Sequence, residues 1–428
     1  MTAGEIEQLQ RRLINIMRSN GSLHAGHVER AFLNVPRHRF LPDVPLEKVY
    51  SDAAIAVKRS ESGRWTSSSS QPSMMAIMLE QLDLKPGHRV LEIGTGSGFN
   101  AAMIADIVGP QGKVVTIDIQ PDLVEAARAC LDELGFDWVK TIAADGGFGC
   151  PEEAPFDRII LTTAADRITR AWREQLAPDG ILVLPLDLYG SQKSIAFSRR
   201  GDVLVSGSVE DCGFMRLQGA FTYSEPARTP VGPDPLLFMT SDIERPVEAA
   251  RLWNWLGGEE KLFPTGVFAK FDQIWTGLFL WLNMHQPGAL VDLNAIDERA
   301  EKNPFPPLLY FGSGGEWRTA LTVALIEDEG AAALSRPPHQ EAPFTSFNSE
   351  IPGDRRSRDP FELYIRQLGP DDHPARLLLS LVKAWDAAGK PTSARLHLRA
   401  FPAGEADHPA EGEFLLTRPD THFIVWFE

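Results

Sequence analysis

Nine consecutive residues, Val90-Leu91-Glu92-Ile93-Gly94-Thr95-Gly96-Ser97-Gly98, constrain this chain more than any others. An apolar run of strand character meets a cluster of glycines, and residues 99–108 then read as a helix. Glycine at such a junction lets the backbone approach a ligand closely, with the helix N-terminus beside it. The glycines are spaced GxGxG. A GxGxxG dinucleotide fingerprint opening at Gly94 would need its last glycine where Phe99 stands, which disfavours a nicotinamide dehydrogenase.

Strands and helices alternate around this turn. Residues 88–93, 113–119, 138–143, 158–162 and 180–185 read as strands, and residues 99–108, 122–134 and 167–176 as helices. Such a βαβ series predicts an α/β domain with a parallel, doubly wound sheet. Residues 193–197 and 203–208, joined through Arg199-Arg200-Gly201-Asp202, predict a closing hairpin, and the series ends near Phe221. Upstream, Ile6, Leu9, Leu13, Ile16 and Met17 have helical spacing, and residues 27–34 form a second helix ended by Val35-Pro36-Arg37. Residues 41–70 read as loop-rich and finish in four serines, after which Pro72 opens a helix reaching Gln81.

Turn-forming residues from Glu225 to Pro235 mark a boundary, giving domains of residues 1–225 and 226–428. Beyond it, residues 247–256 and 376–388 read as helices, and 308–311, 319–326, 395–400 and 423–427 as strands. Residues 327–361 and 401–412 read as exposed loops, and the apolar stretch 278–282 as core. This half is expected to be an α+β domain that recognises the substrate. Trp253, Trp255, Trp275 and Trp281 can line a peptide groove, although core is the favoured reading in such apolar stretches.

GxGxG with Glu92 two residues ahead is typical of S-adenosylmethionine sites. Asp118, at the end of the next strand, is placed to accept both ribose hydroxyls. Asp145, in Ala143-Ala144-Asp145-Gly146-Gly147, follows the third strand and is placed to reach an adenine amino group. Asp118 alone reads equally as a strand-end or cap residue and Asp145 alone more often as a turn residue, and their order behind Gly94 favours the cofactor. A net charge of −16 repels phosphate backbones, so a peptide suits the chain better than nucleic acid. Cys130, Cys150 and Cys212 form no CxxC pair, so no disulfide framework or metal site is expected, and a reducing cytoplasm is the simplest compartment. The N-terminus lacks the apolar core of a signal peptide, and no apolar run is long enough for a membrane span.

Several blocks together resemble the protein-L-isoaspartate O-methyltransferases, which are Rossmann-like class I methyltransferases. They are Val35-Pro36-Arg37-His38-Arg39-Phe40, Tyr50-Ser51-Asp52, Ser70-Gln71-Pro72, the glycine turn, Asp145-Gly146 and Leu176-Ala177-Pro178-Asp179-Gly180, within residues 5–222. The resemblance implies S-adenosyl-L-methionine held by Ser70, Glu92, Gly94, Gly96, Gly98, Asp118, Ile119, Asp145 and Gly146. It implies Ser70 as the serine between cofactor and substrate carboxylate, with Ser69 and Gln71 facing the substrate.

Two departures accompany it. Ser69 stands where the family usually has isoleucine, and the chain runs on to Glu428 where repair enzymes usually end near the position of Phe221. Extended relatives resemble the methyltransferases that accompany ribosomally made, modified peptides (lanthipeptides, graspetides, lasso peptides). The expectation is therefore a carboxyl O-methyltransferase that esterifies an aspartate of such a peptide, the ester closing to a succinimide (aspartimide) and sometimes opening to isoaspartate. The alternative is a general isoaspartate repair enzyme, and a third reading is a catalytically silent cofactor-binding module. A carboxylate with a pKa of about 4 is already ionised at neutral pH, so His38 is not expected as a base. Arg37 and Arg39 can steer an anionic group, although solvated surface charge is the favoured reading.

Overall fold

The computed structural model describes residues 3–61, 63, 65–258, 261–301, 307–313, 317–337, 344–346, 359–405 and 408–428. The chain divides into two units, one of residues 1–188, 192–223 and 396–428 and the other of residues 189–191 and 224–395.

In chain order the first unit contains α1 (Ala3–Ser19), α2 (Gly26–Asn34), α3 (Leu46–Val49), β1 (Ile55–Arg59), β2 (Trp65–Ser69), α4 (Pro72–Gln81), β3 (Arg89–Ile93), α5 (Phe99–Val108), β4 (Lys113–Asp118), α6 (Pro121–Glu133), β5 (Lys140–Ala143), β6 (Phe156–Leu161), α7 (Arg170–Gln175), β7 (Leu176–Leu188), β8 (Ser191–Arg200) and β9 (Val203–Asp211). β3 pairs in parallel with β4 on one side and β6 on the other, and β4 with β5 and β6 with β7 are parallel too. The chain therefore steps outward from β3 through β4 and β5, then returns to the other flank. That reversal opens a crevice at the carboxyl ends of β3 and β6. Strands buried on both faces read as continuous apolar runs, as Val90, Leu91 and Ile93 do. α5 buries Phe99, Met103, Ile104 and Val108 and packs on Phe32 of α2 and on Phe40, at ring separations of 6.2 and 5.6 Å.

Two expectations change here. Residues 55–69 are not loop: β1 and β2 form an antiparallel hairpin, so the serines occupy a strand. Alternation of small hydroxyl side chains carries no hydrophobic period, which is why the strand is invisible to pattern. The 225/226 boundary changes as well. Leu396–Pro402, Thr421–Phe427 and Phe414–Thr417 extend the first unit's sheet beyond β9, with Ala400 opposite Leu204. Leu398, Phe401, Phe423, Ile424 and Val425 of these strands are buried. The chain end thus completes the first sheet.

The second unit is α+β. Its sheet runs in the order Ala227–Pro230, Leu237–Ser241, Leu290–Ile296, Trp317–Ile326, Ala331–Ser335, Phe361–Leu368 and Lys261–Ala269, and these neighbours are antiparallel. The sheet serves two cores. Ala331 and Ala333 join the core of helix Pro246–Leu256, while Ala332 and Leu334 join that of helix His373–Ala387. This is the two-residue period of a strand covered on both faces. Ala331–Ser335 is fully buried strand where a loop was expected, and Ala227–Pro230 is strand where linker was expected. The rest of the expected 327–361 loop lies largely outside the described residues. Leu278, Phe279, Leu280 and Leu282 are core, as their apolar run suggests. Trp253 and Trp275 remain more than a third exposed, so the core reading does not hold for them.

Candidate active site

β3 ends in a turn through Gly94 and Gly96, at φ +102° and +51°. A Cβ at Gly94 would stand 2.3 Å from Thr162 Oγ1, and a side chain is disfavoured at such φ in any case. The turn is pinned: Gly94 N donates to Ile117 O at 2.8 Å, and Thr162 Oγ1 donates to Gly94 O at 2.7 Å. Glu92 lies beneath it, fully buried, and accepts from Asn100 Nδ2 at 2.7 Å and Thr116 Oγ1 at 2.6 Å. Thr116 Oγ1 is 2.8 Å from Thr95 Oγ1. Burial pushes the Glu92 carboxyl up to about 7, against the opposing effect of its two donors. Glu92 therefore joins α5, β4 and the glycine turn.

A cavity of about 300 Å³ opens above the turn. It brings together Ser69, Ser70, Gln71, Gly94, Gly96, Asp118, Ile119 and Gly146 of the expected residues. Glu92, Gly98 and Asp145 are not among the described residues that line it. Gly98, the left-handed N-cap of α5, packs against α6, where a Cβ would stand 2.9 Å from that of Ala127. Asp145 accepts from Gly147 N at 2.9 Å and Ala220 N at 2.7 Å, so its carboxylate fixes a turn. Asp118 accepts from Gly96 N at 3.0 Å and Gln120 N at 3.1 Å. A carboxylate has about four acceptor sites, so capacity for a ligand hydroxyl remains.

The serine strand forms the opposite wall, and Ser68 O would be 3.3 Å from a Cβ at Gly96. Gln120 Nε2 donates to Thr66 O at 3.0 Å, and Lys58 pairs with Asp122 at 2.6 Å, tying the hairpin to the end of β4 and to α6. Arg37 is 1% exposed, which overturns its reading as a surface charge. Its guanidinium donates to Val49 O at 3.1 Å, Ser69 Oγ at 3.3 Å and Ser70 O at 2.9 Å. Burial lowers its pKa to about 10, which leaves it charged at neutral pH. Asp52 grips the other side, accepting from Gln71 Nε2 at 3.1 Å, Ser73 N at 2.8 Å and Ser73 Oγ at 2.7 Å. The Ser69 hydroxyl is thus engaged by Arg37, whereas Ser70 Oγ has no hydrogen-bond partner among the described residues. Arg39, by contrast, is exposed and pairs with Glu133. His38 Nδ1 sits 2.7 Å from Tyr50 Oη, and desolvation lowers its pKa.

Sequence reasoning missed Thr162, Thr163, Met74, Met75 and the segment from Cys212 to Gln218, which also line the cavity. Nothing local marks them: Met74 and Met75 reach it from the first turn of α4, Thr162 and Thr163 from the end of β6, and residues 212–218 from the end of β9.

A glycine turn too tight for side chains, an acidic strand end and a crevice at the strand-order reversal fit S-adenosyl-L-methionine and define a class I methyltransferase that uses it. The model of the family described as "Protein-L-isoaspartate(D-aspartate) O-methyltransferase (PCMT)" matches residues 7–220, and the chain belongs to that family of carboxyl methyltransferases. A protein-L-isoaspartate O-methyltransferase of Methanopyrus kandleri is 40% identical over 176 residues, spanning 41% of this chain and 75% of that protein. One of Hyperthermus butylicus is 37% identical over 227 residues, spanning 51% of this chain and 92% of that protein. A solved structure titled protein-L-isoaspartate O-methyltransferase aligns over 91% of this chain and 96% of its own, with a TM-score of 0.48 and 22% identity. Among the described residues, no helix is long and apolar enough to cross a membrane.

Proposed function

We propose that the chain methylates the free carboxylate of isoaspartyl residues in peptides or proteins, a repair-type activity. The observation that carries this reading is Ser70: its hydroxyl, which no described residue engages, belongs to a residue lining the same cavity as Gly94, Gly96 and Asp118. S-adenosyl-L-methionine, when bound, supplies a methyl group on a sulfonium, which leaves as a neutral thioether. Gly94, Gly96, Asp118, Ile119 and Gly146 would hold it. Ser70 Oγ donates to one carboxylate oxygen and leaves the other to attack. That oxygen would accept the methyl group as the carbon–sulfur bond breaks, and no proton would move. No general base is needed, since a carboxylate of pKa about 4 is ionised. The chain's work is orientation, which alone is worth roughly 7–11 kcal/mol in favourable cases. Arg37 and Asp52 supply it by fixing the backbone on both sides of Ser70.

A second reading is methylation of one chosen aspartate in a ribosomally made, modified peptide, with closure to a succinimide. The hydroxyl-rich wall of Ser67, Ser68, Ser69 and Ser70 favours it, because Ser69 stands where the family usually has isoleucine. The Ser69 hydroxyl, engaged by Arg37, is not part of that wall's free set. The second unit would then select the peptide. The free thiols of Cys130, Cys150 and Cys212 support a reducing compartment such as the cytoplasm.

Methyl transfer should be assayed on an isoaspartyl peptide, its aspartyl isomer and a macrocyclic aspartyl peptide. Turnover of the isoaspartyl peptide above both others is expected. Turnover of the macrocycle alone would replace the first reading by the second.

A further inference from the structure

Resting on the carboxyl methylation proposed above, we infer that Arg216 is the substrate-anion site: its guanidinium binds the carboxylate to be methylated and sets a preference for charged over neutral acceptor residues. Arg216 is the one cation among the described residues lining the cavity, against two acids, Asp118 and Asp211. Both acids have partners within the chain. Asp118 accepts two backbone N–H groups, and Asp211 pairs with the fully buried Lys193. Arg216 has a longer ion pair, with Asp187, and Tyr223 beside it. Its Nη2 stands 3.8 Å from Asp187 Oδ2, beyond hydrogen-bonding distance. Its guanidinium lies over the Tyr223 ring at 4.8 Å, and Tyr223 Oη donates to Asp187 Oδ2 at 3.2 Å. Its Nε is buried without a hydrogen-bond partner. Stacking fixes the plane of the fork, whose donors meet the carboxylate oxygen that Ser70 also engages and leave the other to attack.

The backbone beneath the side chain is fixed as well. Arg216 bridges to Ala164 just beyond β6, with Ala164 N donating to Met215 O at 2.8 Å and Leu217 N to Ala164 O at 2.7 Å. Gln192 brackets Phe214, accepting from its N–H at 2.6 Å and donating to its carbonyl at 3.1 Å. A chain of net charge −16 disfavours the approach of any carboxylate, and a cation in the cavity offsets this locally.

The charge on the carboxylate disappears as the ester forms. A guanidinium bound to it therefore holds the ground state more tightly than the transition state. Arg216 serves capture and selection, so its loss raises KM and leaves kcat unchanged or higher.

The test uses the full chain loaded with S-adenosyl-L-homocysteine and two peptides, one isoaspartyl and one with the isosteric isoasparaginyl amide. Calorimetry should show the wild type preferring the carboxylate by about tenfold or more, the size of a charge-assisted hydrogen bond. Arg216→Gln should bring that ratio near one and raise KM by a similar factor, with S-adenosyl-L-homocysteine affinity retained. Arg216→Lys, which keeps the charge without the fork, should hold an intermediate ratio and serves if the glutamine variant does not fold. An unchanged ratio in Arg216→Gln, or a parallel loss of S-adenosyl-L-homocysteine affinity, overturns the assignment. A wild type that prefers the carboxylate yet never methylates it supports Arg216 as an anion site and refutes the methylation reading instead.

Discussion

Arg37 Nη2 donates to the Ser70 carbonyl at 2.9 Å, across 33 residues of chain. With Asp52 holding Ser73, the bond sets where the Ser70 hydroxyl enters the cavity. Arg37→Met leaves the buried carbonyl of Val49 without this donor, at about 1–3 kcal/mol, and frees the half-buried Ser70 carbonyl. The expected result is a fall in kcat of about a hundredfold, the scale of a 1 Å misplacement. Cofactor affinity should change little. Steady-state kinetics beside calorimetry with S-adenosyl-L-homocysteine checks this, and an unaltered kcat would refute the positioning role.

Ser70→Ala removes only a hydroxyl that no described residue engages. Stability should stay within about 0.5 kcal/mol, as at sites with no special contact. Turnover should fall about ten- to a hundredfold if the hydroxyl aims the carboxylate. Equal kcat/KM in wild type and variant would remove Ser70 from the mechanism.

Gly94→Ala places a Cβ against Thr162 Oγ1 at a φ of +102°. Strain of about 1–3 kcal/mol is expected there, besides the steric clash. The turn must shift, and calorimetry should show cofactor affinity lower by at least about a hundredfold. Unchanged affinity would mean that the cofactor does not rest on this turn.

Glu92 titrates at about 7 in the fold against an ordinary 4.5, because burial disfavours its charge. Its folded form holds the proton more tightly than its unfolded form. The associated stability is full below pH 4.5 and is lost as pH rises through 7. Glu92→Gln cannot ionise, so the wild type should lose stability relative to it across that window. Urea unfolding of both proteins at several pH values checks the sign, and a pH-independent difference would contradict it.

Deleting residues 226–428 should unfold the first unit, because the deleted strands bury Leu398, Phe401, Phe423, Ile424 and Val425. Their loss is on the order of 10 kcal/mol, comparable to the stability of a whole domain. Excising residues 224–395 behind a flexible linker should instead preserve cofactor binding. If the second unit selects the peptide, peptide turnover is lost in that variant. Circular dichroism and calorimetry separate the two proteins, and a folded, cofactor-binding 1–225 fragment would refute the assigned role of the chain end.

What local chemistry dictates was readable from the residues alone. The β3–turn–α5 unit, the helix opened by Pro72 and the alternation through β7 follow from periods of two and 3.6 residues and from glycines that admit a left-handed backbone. Gly94, Gly96, Asp118 and Ser70, grouped from the sequence, line one cavity. The serine hairpin was hidden because its side chains carry no apolar alternation, and the buried strand Ala331–Ser335 because its loop-like flanks masked it. The burial of Arg37, the capping role of Asp145, the entry of Arg216 into the cavity and the return of the chain end to the first sheet were decided by the tertiary structure. The physical reason is distance. A backbone carbonyl or strand edge left open by one segment is satisfied by whichever distant segment packs beside it, and no neighbouring residue in the chain records that partner.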